Sequence, residues 1–187
     1  MRTLLAILGW AALMAPSAFA SETYEIAEQM LRDAKAEAHF KALDLPGAIM
    51  LVHRQSGLLC QFDTDNTARE VSGDAASARC RGAGFMGDYV LTARRGAKTL
   101  QAEHADLRIS MAKQGALAPP LCDLDDAVPF CQVSATRREA SGDVHTEAFV
   151  GVRDGWVFTV RGVGKPGQRI DIMARSTFKG MVDTPEP

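Results

Sequence analysis

The dipeptide Asp154-Gly155 does most to limit what this chain can become. It joins two apolar-rich segments, residues 144–153 and 156–163, each of a length that suits a strand. A two-residue loop of this composition closes a type I′ turn, in which both central residues take positive φ, and such a turn dictates an antiparallel hairpin. Phe149 and Val152 are expected to pack with Val157 and Val160 across it, and Lys165-Pro166-Gly167 ends the hairpin.

The remaining pattern supplies companions for that hairpin. Residues 49–53 and 58–62 are short apolar runs around Gln55-Ser56-Gly57 and predict a second hairpin. Residues 89–94 and 130–137 predict single strands. Ser21 is a plausible N-cap with Glu22 and Glu25 in the first turn, and Ala27, Met30, Leu31, Ala34 and Ala38 recur at helical spacing. This amphipathic helix should fill residues 21–45, ending near Leu43 before Asp44-Leu45-Pro46-Gly47. A second helix is expected over residues 99–114, with Leu100, Leu107 and Met111 on one face and Gly115 after it. A third should cover residues 170–181, with Ile170, Met173, Ala174 and Phe178 inward, before a frayed tail at 183–187. Residues 63–79 are polar and rich in small side chains, which predicts a loop. This order implies a single α+β domain over residues 46–182, an antiparallel sheet of five or six strands covered by helices.

The first twenty residues are expected to be removed. Arg2 supplies a positive charge, residues 4–14 are almost wholly apolar, Pro16 breaks the run, and Ala18-Phe19-Ala20 offers small residues where a signal peptidase reads them. The stretch is short for a membrane span, and Ser21 and Glu22 follow at once. Its short Ala-x-Ala form reads as bacterial, which places the mature chain in the periplasm or, alternatively, outside the cell.

Cysteine usage agrees with export. Cys60, Cys80, Cys122 and Cys131 allow three pairings, and chain order favours Cys60–Cys80 and Cys122–Cys131, each closing a short loop. No Cys-x-x-Cys spacing suggests a redox site, and no close ligand pair suggests structural zinc. Losing Arg2 leaves 20 basic against 23 acidic side chains, a balance that argues against a sequence-independent nucleic-acid binder.

Motifs for chemistry are weak. His39, His53, His104 and His145 lack the three- or four-residue spacing of helical metal ligands, and no Gly-x-Ser-x-Gly is present. Asp63-x-Asp65-Asn66 begins like a calcium loop but continues with Thr67, Ala68 and Asp74 at the diagnostic positions. Asp123, Asp125 and Asp126 form a second acidic group on the other bridged loop. Gly82-x-Gly84-x-x-Gly87 spells the dinucleotide fingerprint but leads into a strand, so it reads as a structural turn. No cofactor or metal is expected. Basic residues are paired, Arg94-Arg95 with Lys98 and Arg137-Arg138, at predicted strand ends where they could converge on one sheet edge as an anion or partner site. Trp156, beside the turn, is a candidate partner anchor.

A late hairpin over residues 149–163, a following helix ending in Ser176-Thr177-Phe178, and a strand–helix–strand passage over 89–137 resemble the Mog1/PsbP-like group of α/β/α sandwiches. The resemblance spans residues 49–180 and implies a binding or assembly-factor role. The expectation is thus an exported, non-catalytic protein that engages another exported or envelope component. The alternatives are a carrier of apolar ligands, with a pocket lined by Met50, Phe85, Met111 and Phe178, and an enzyme built from scattered carboxylates and histidines.

Overall fold

The computed structural model describes residues 21–45, 47–84, 87–124, 129–165, 175 and 178–180. Helix α1 (Glu22–Ala34) starts at Ser21, whose side chain accepts the Tyr24 N–H at 3.3 Å. It ends sooner than the apolar periodicity predicts. Lys35 turns left-handed at φ 53°, and the Ala36 N–H returns to the Leu31 carbonyl at 2.9 Å. Residues expected to finish the helix instead form strand β1 (Phe40–Leu43), because the fully buried Phe40 lies opposite His53 in a sheet, where a continuing helix could not put it.

Strands β2 (Ile49–His53) and β3 (Leu59–Phe62) form the expected hairpin and complete a three-stranded sheet in the order β1-β2-β3. A second, larger sheet is built from β4 (Ala68–Gly73), β5 (Ser77–Gly84), β6 (Gly87–Arg95), β7 (Ala116–Leu117), β8 (Leu121–Asp123), β9 (Phe130–Glu139), β10 (Gly142–Arg153) and β11 (Trp156–Gly164). Helix α2 (Leu100–Ala112) lies between β6 and β7 in the chain. The order is β4-β5-β6-β11-β10-β9-β7, with β8 also on β9, and the pairs are antiparallel.

Eight strands in this sheet correct the expected five or six. Residues 63–79, read as a loop, hold β4 and the start of β5. β4 is an edge strand that buries only Val71, so its other side chains are free to be polar and the apolar signal vanishes. β7 and β8 are too short to show any period. The late hairpin forms as expected: Asp154 and Gly155 have φ of 50° and 76°, and Phe149 faces Val160 while Val152 faces Val157. The Gly82/Gly84/Gly87 triplet lies in the β5–β6 hairpin, where a Cβ on Gly82 would meet the Tyr89 ring at 2.1 Å.

Strand alternation divides the large sheet into two faces. One presents Leu91, Phe130, Phe149, Trp156, Phe158 and Val160 to the small sheet and α1, whose Ala27 and Leu31 are buried with them. The other presents Val133, Ala135, Ala148, Val150 and Val157 to α2, where Met111, Leu107 and Leu100 meet them as the helical spacing predicted. The molecule is therefore one α+β domain of three layers, with the large sheet in the middle and α1 part of the same core.

Two cysteine pairs lie at disulfide distance, in the pairing that chain order favoured. Cys60–Cys80 joins β3 to β5 across the core, with Cα atoms 6.0 Å apart, and Cys122–Cys131 joins opposed residues of β8 and β9, with Cα atoms 4.0 Å apart. Such bridges are compatible with an oxidising, extracytoplasmic compartment. Residues 175 and 178–180 are helical, and Phe178 is buried, its ring centroid 5.3 Å from Phe130 and 6.1 Å from Phe149. The expected signal at 1–20, Ile170, Met173, Ala174 and the tail at 183–187 lie outside the described residues. Among the described residues, no helix is long and apolar enough to cross a membrane.

Candidate functional site

One end of the large sheet gathers four turns. The Arg95 N–H donates to the Ala76 carbonyl at 2.8 Å, which ties β6 to the β4–β5 turn. Gly96, at φ +85°, lets the chain leave β6 so that the N–H groups of Gly96 and Ala97 donate to Gly155 at 3.0 and 3.1 Å. This fastens the start of the α2 segment to the Asp154-Gly155 turn.

The fourth turn, between β2 and β3, is held by His53. Its ring is fully buried, 5.0 Å from Phe40 and 5.7 Å from Trp156 between centroids. Nε2 lies 2.8 Å from the Asp74 carbonyl, which can only accept, so Nε2 carries the proton and Nδ1 is the acceptor. Nδ1 takes the Ser56 hydroxyl at 2.8 Å and the Ser56 N–H at 3.2 Å, while Ser56 Oγ accepts the Leu58 N–H at 3.1 Å. Burial holds the imidazole below its ordinary pKa, with the Asp74 carbonyl opposing that shift. The Asp74 carboxylate is occupied locally, accepting from Ala76 and Ser77 N–H at 2.8 Å each.

Between these turns lies a cleft of about 300 Å³ walled by Gln55, Ser56 and Gly57 on one side and by Arg95, Arg153, Asp154 and Trp156 on the other. The Arg95 guanidinium carbon lies 5.0 Å from the centre of the Trp156 ring, a cation–π arrangement at the wall. Arg95 is exposed, and among the described residues it makes no ion pair. Arg153 lies over Phe158 at 5.4 Å and 3.8 Å from the Asp154 carboxylate. A planar cation backed by an aromatic face, beside turn backbone, suits a carboxylate or another small anion. A wider concavity of about 570 Å³ lies over Ser72, Asp74, Arg79, Thr92 and Arg94, but it has no aromatic wall.

The residues singled out from sequence separate here. Arg94 and Arg95 point to opposite faces of β6, as neighbours in a strand must. Arg94 pairs with Glu103 of α2, whose carboxylate is buried and also accepts the Lys98 N–H at 3.0 Å. Lys98 pairs with Asp106 at 2.8 Å, which raises the pKa of the lysine and lowers that of the acid. Arg137 pairs with Glu139, and Arg138 with Asp143 at 3.3 Å. The two arginine pairs do not converge. Three antiparallel pairings separate β6 from β9, so the strands run oppositely and their C-terminal ends lie at opposite ends of the sheet. Trp156 does not protrude as an anchor: it is 3% exposed and serves as core and cleft wall together.

Other motifs are absorbed by structure. Asn66 Oδ1 accepts the Asp63 N–H at 3.1 Å and the Tyr89 hydroxyl at 3.0 Å, which explains the Asp63-x-Asp65-Asn66 segment as a tied turn. Asp123 is exposed on β8, while Asp125 and Asp126 lie outside the described residues. Of the apolar set Met50, Phe85, Met111 and Phe178, Met111 and Phe178 belong to opposite faces of the large sheet, so these two do not line a common pocket, and Phe85 lies outside the described residues. Sequence reasoning missed Arg153, Ser56 and His53. The position of Arg153 just before Asp154-Gly155 was the signal that could have placed it, since a two-residue turn puts its flanking residues side by side.

No family model matches this chain, and none of the curated proteins compared with it matches either. Among solved structures, the chain is similar to a Pseudomonas aeruginosa protein of unknown function, PA94, described as a putative regulator, at 9% identity and a TM-score of 0.39 over 80% of this chain and 99% of that one; a likeness of this size carries no inference about function.

Proposed function

We propose that this protein is an exported, non-catalytic binding module that docks an acidic group of another exported or envelope protein in the cleft between the β2–β3 and β10–β11 turns. Periplasm is its compartment, the N-terminal segment its removable signal. Arg95 carries the reading: it is exposed at the cleft, braced on Trp156 and without a carboxylate partner among the described residues. The tied turns favour binding, because a preformed wall costs little ordering entropy. The element-order resemblance to Mog1/PsbP-like sandwiches supports the same role.

Isothermal titration with a soluble hexaglutamate peptide tests it. Wild type should bind with an affinity that falls as salt rises, and Arg95→Glu should abolish binding while leaving the denaturation midpoint in place. Equal binding by the variant, or none by wild type, overturns the proposal. A second reading rests on the 2.8 Å contact of Ser56 Oγ with His53 Nδ1 at the cleft wall, the reach of a nucleophile and its base. Labelling of Ser56 by a fluorophosphonate, lost in His53→Gln, would select that enzymatic reading.

A further inference from the structure

We infer that the Cys122–Cys131 bridge masks a binding site for a soft metal ion such as Zn²⁺, completed by His104 and opened by reduction. This rests on a region remote from the cleft in function and does not depend on the acidic-group reading. A ligand nitrogen of His104 and the two sulfurs all lie within 4.8 Å of one another. Around one zinc ion, with Zn–S near 2.3 Å and Zn–N near 2.0 Å, neighbouring ligand atoms sit roughly 3.3–3.8 Å apart. The two sulfurs, 2.05 Å apart in the bridge, must separate on reduction to reach that spacing, and the His104 nitrogen already lies within 4.8 Å of both.

A second observation concerns His104 itself. Its Nε2 is shielded from solvent and has no hydrogen-bond partner among the described residues, a costly state for a polar atom unless it has a task. The bridge is also accessible. Cys122 is exposed on the three-residue strand β8, all of whose residues are exposed, while Cys131 is 3% exposed beneath it. Cys60 and Cys80, by contrast, are both fully buried, so a reductant meets Cys122 first.

The chemistry balances. A dithiol donor gives two electrons and two protons, becoming a disulfide, and the bridge becomes two thiols. Zn²⁺ then displaces both thiol protons and takes two thiolates and one neutral imidazole, with water completing its shell.

Cobalt(II) titration of the full mature chain tests this, with a phosphine as reductant because it adds no thiol ligand. Alkylation and mass measurement report which cysteines are open. The reduced protein should take one equivalent of Co²⁺ with a thiolate-to-cobalt charge-transfer band, and the oxidised protein should give none. Loss of even an outer-shell partner costs about 10–100-fold in metal affinity, so His104→Gln, which removes a ligand, should weaken binding by at least that. Should Cys122→Ser fail to fold, blocking Cys122 by alkylation of the reduced wild type must abolish the band instead. A reduced protein with Cys122 and Cys131 open but no band, a band that survives Cys122→Ser, or unchanged affinity in His104→Gln overturns the inference.

Discussion

On one side of the large sheet, side chains from three sources interlock: Phe130, Phe149 and Phe158 from the sheet, Phe40 and Phe62 from the small sheet, and Leu31 from α1, joined by Phe178. On the other side, a single helix supplies Met111, Leu107 and Leu100 against Val133, Ala148 and Val150. The first side is a thick aromatic core crossed by a buried disulfide. The second is a smaller aliphatic seam, and polar pairs such as Arg94 with Glu103 form its margin. The difference teaches where specificity of fold resides: bulky rings of fixed shape admit few alternative packings, whereas an aliphatic seam under one helix can readjust.

Large-to-small substitutions test that contrast most strongly. Phe149→Ala should cost about 4 kcal/mol and Met111→Ala about 3 kcal/mol by denaturant unfolding with both bridges intact. Equal losses would mean that depth of packing does not distinguish the faces. Next is Gly82→Ala, which drives a methyl into the Tyr89 ring on the aromatic side and should cost about 2 kcal/mol. A neutral result would show that Tyr89 can move aside and that this margin of the aromatic core is loose.

The neighbouring arginines compare the faces at one position in the chain. Arg94→Ala leaves the buried Glu103 carboxylate without its cation and should cost about 1–2 kcal/mol, discounted for the half-exposed arginine. Arg95→Ala should change stability by less than about 0.5 kcal/mol. The reverse ranking would move the structural cation to the cleft and remove the basis for reading Arg95 as a binding group.

The smallest effect concerns pH. Burial lowers the His53 pKa below its unfolded value of 6.5, so protons favour the unfolded chain. Its contribution is complete above pH 6.5 and is lost as pH falls through the folded-state value. His104 behaves alike on the helix-covered side. Stability measured between pH 7.5 and pH 5 should fall, and the fall should be shallower in His53→Gln than in His104→Gln. The opposite order would place the stronger desolvation on the helix-covered side.

What sequence made legible follows the same division. Elements that bury one face against a core carry a period, so α2, the two apolar hairpins and β9 could be read, as could the Asp-Gly turn and the cysteine pairing. β1 was hidden because Ala38 continues the helical spacing of Ala34 past the point where Lys35 reverses the backbone. β4 was hidden because an edge strand needs only one inward residue, Val71. The cleft was half legible: Arg95 and Trp156 were marked, but their apposition comes from the cross-strand register of β6 and β11, and Ser56 arrives from the other sheet. No local pattern records that meeting.

The outer edge of β9 is covered by two fragments rather than one strand. β7 lies opposite Ala135 and Thr136, β8 lies opposite Phe130, Cys131 and Gln132, and the chain between them runs through Pro119 and Pro120. Proline has no N–H to offer, so the row of donors along this margin is interrupted where a long incoming strand would need continuity. A crowded compartment rewards that arrangement. A copy of the protein that meets this margin finds no uninterrupted ladder to extend, so growth of the eight-stranded sheet is opposed on the β9 side.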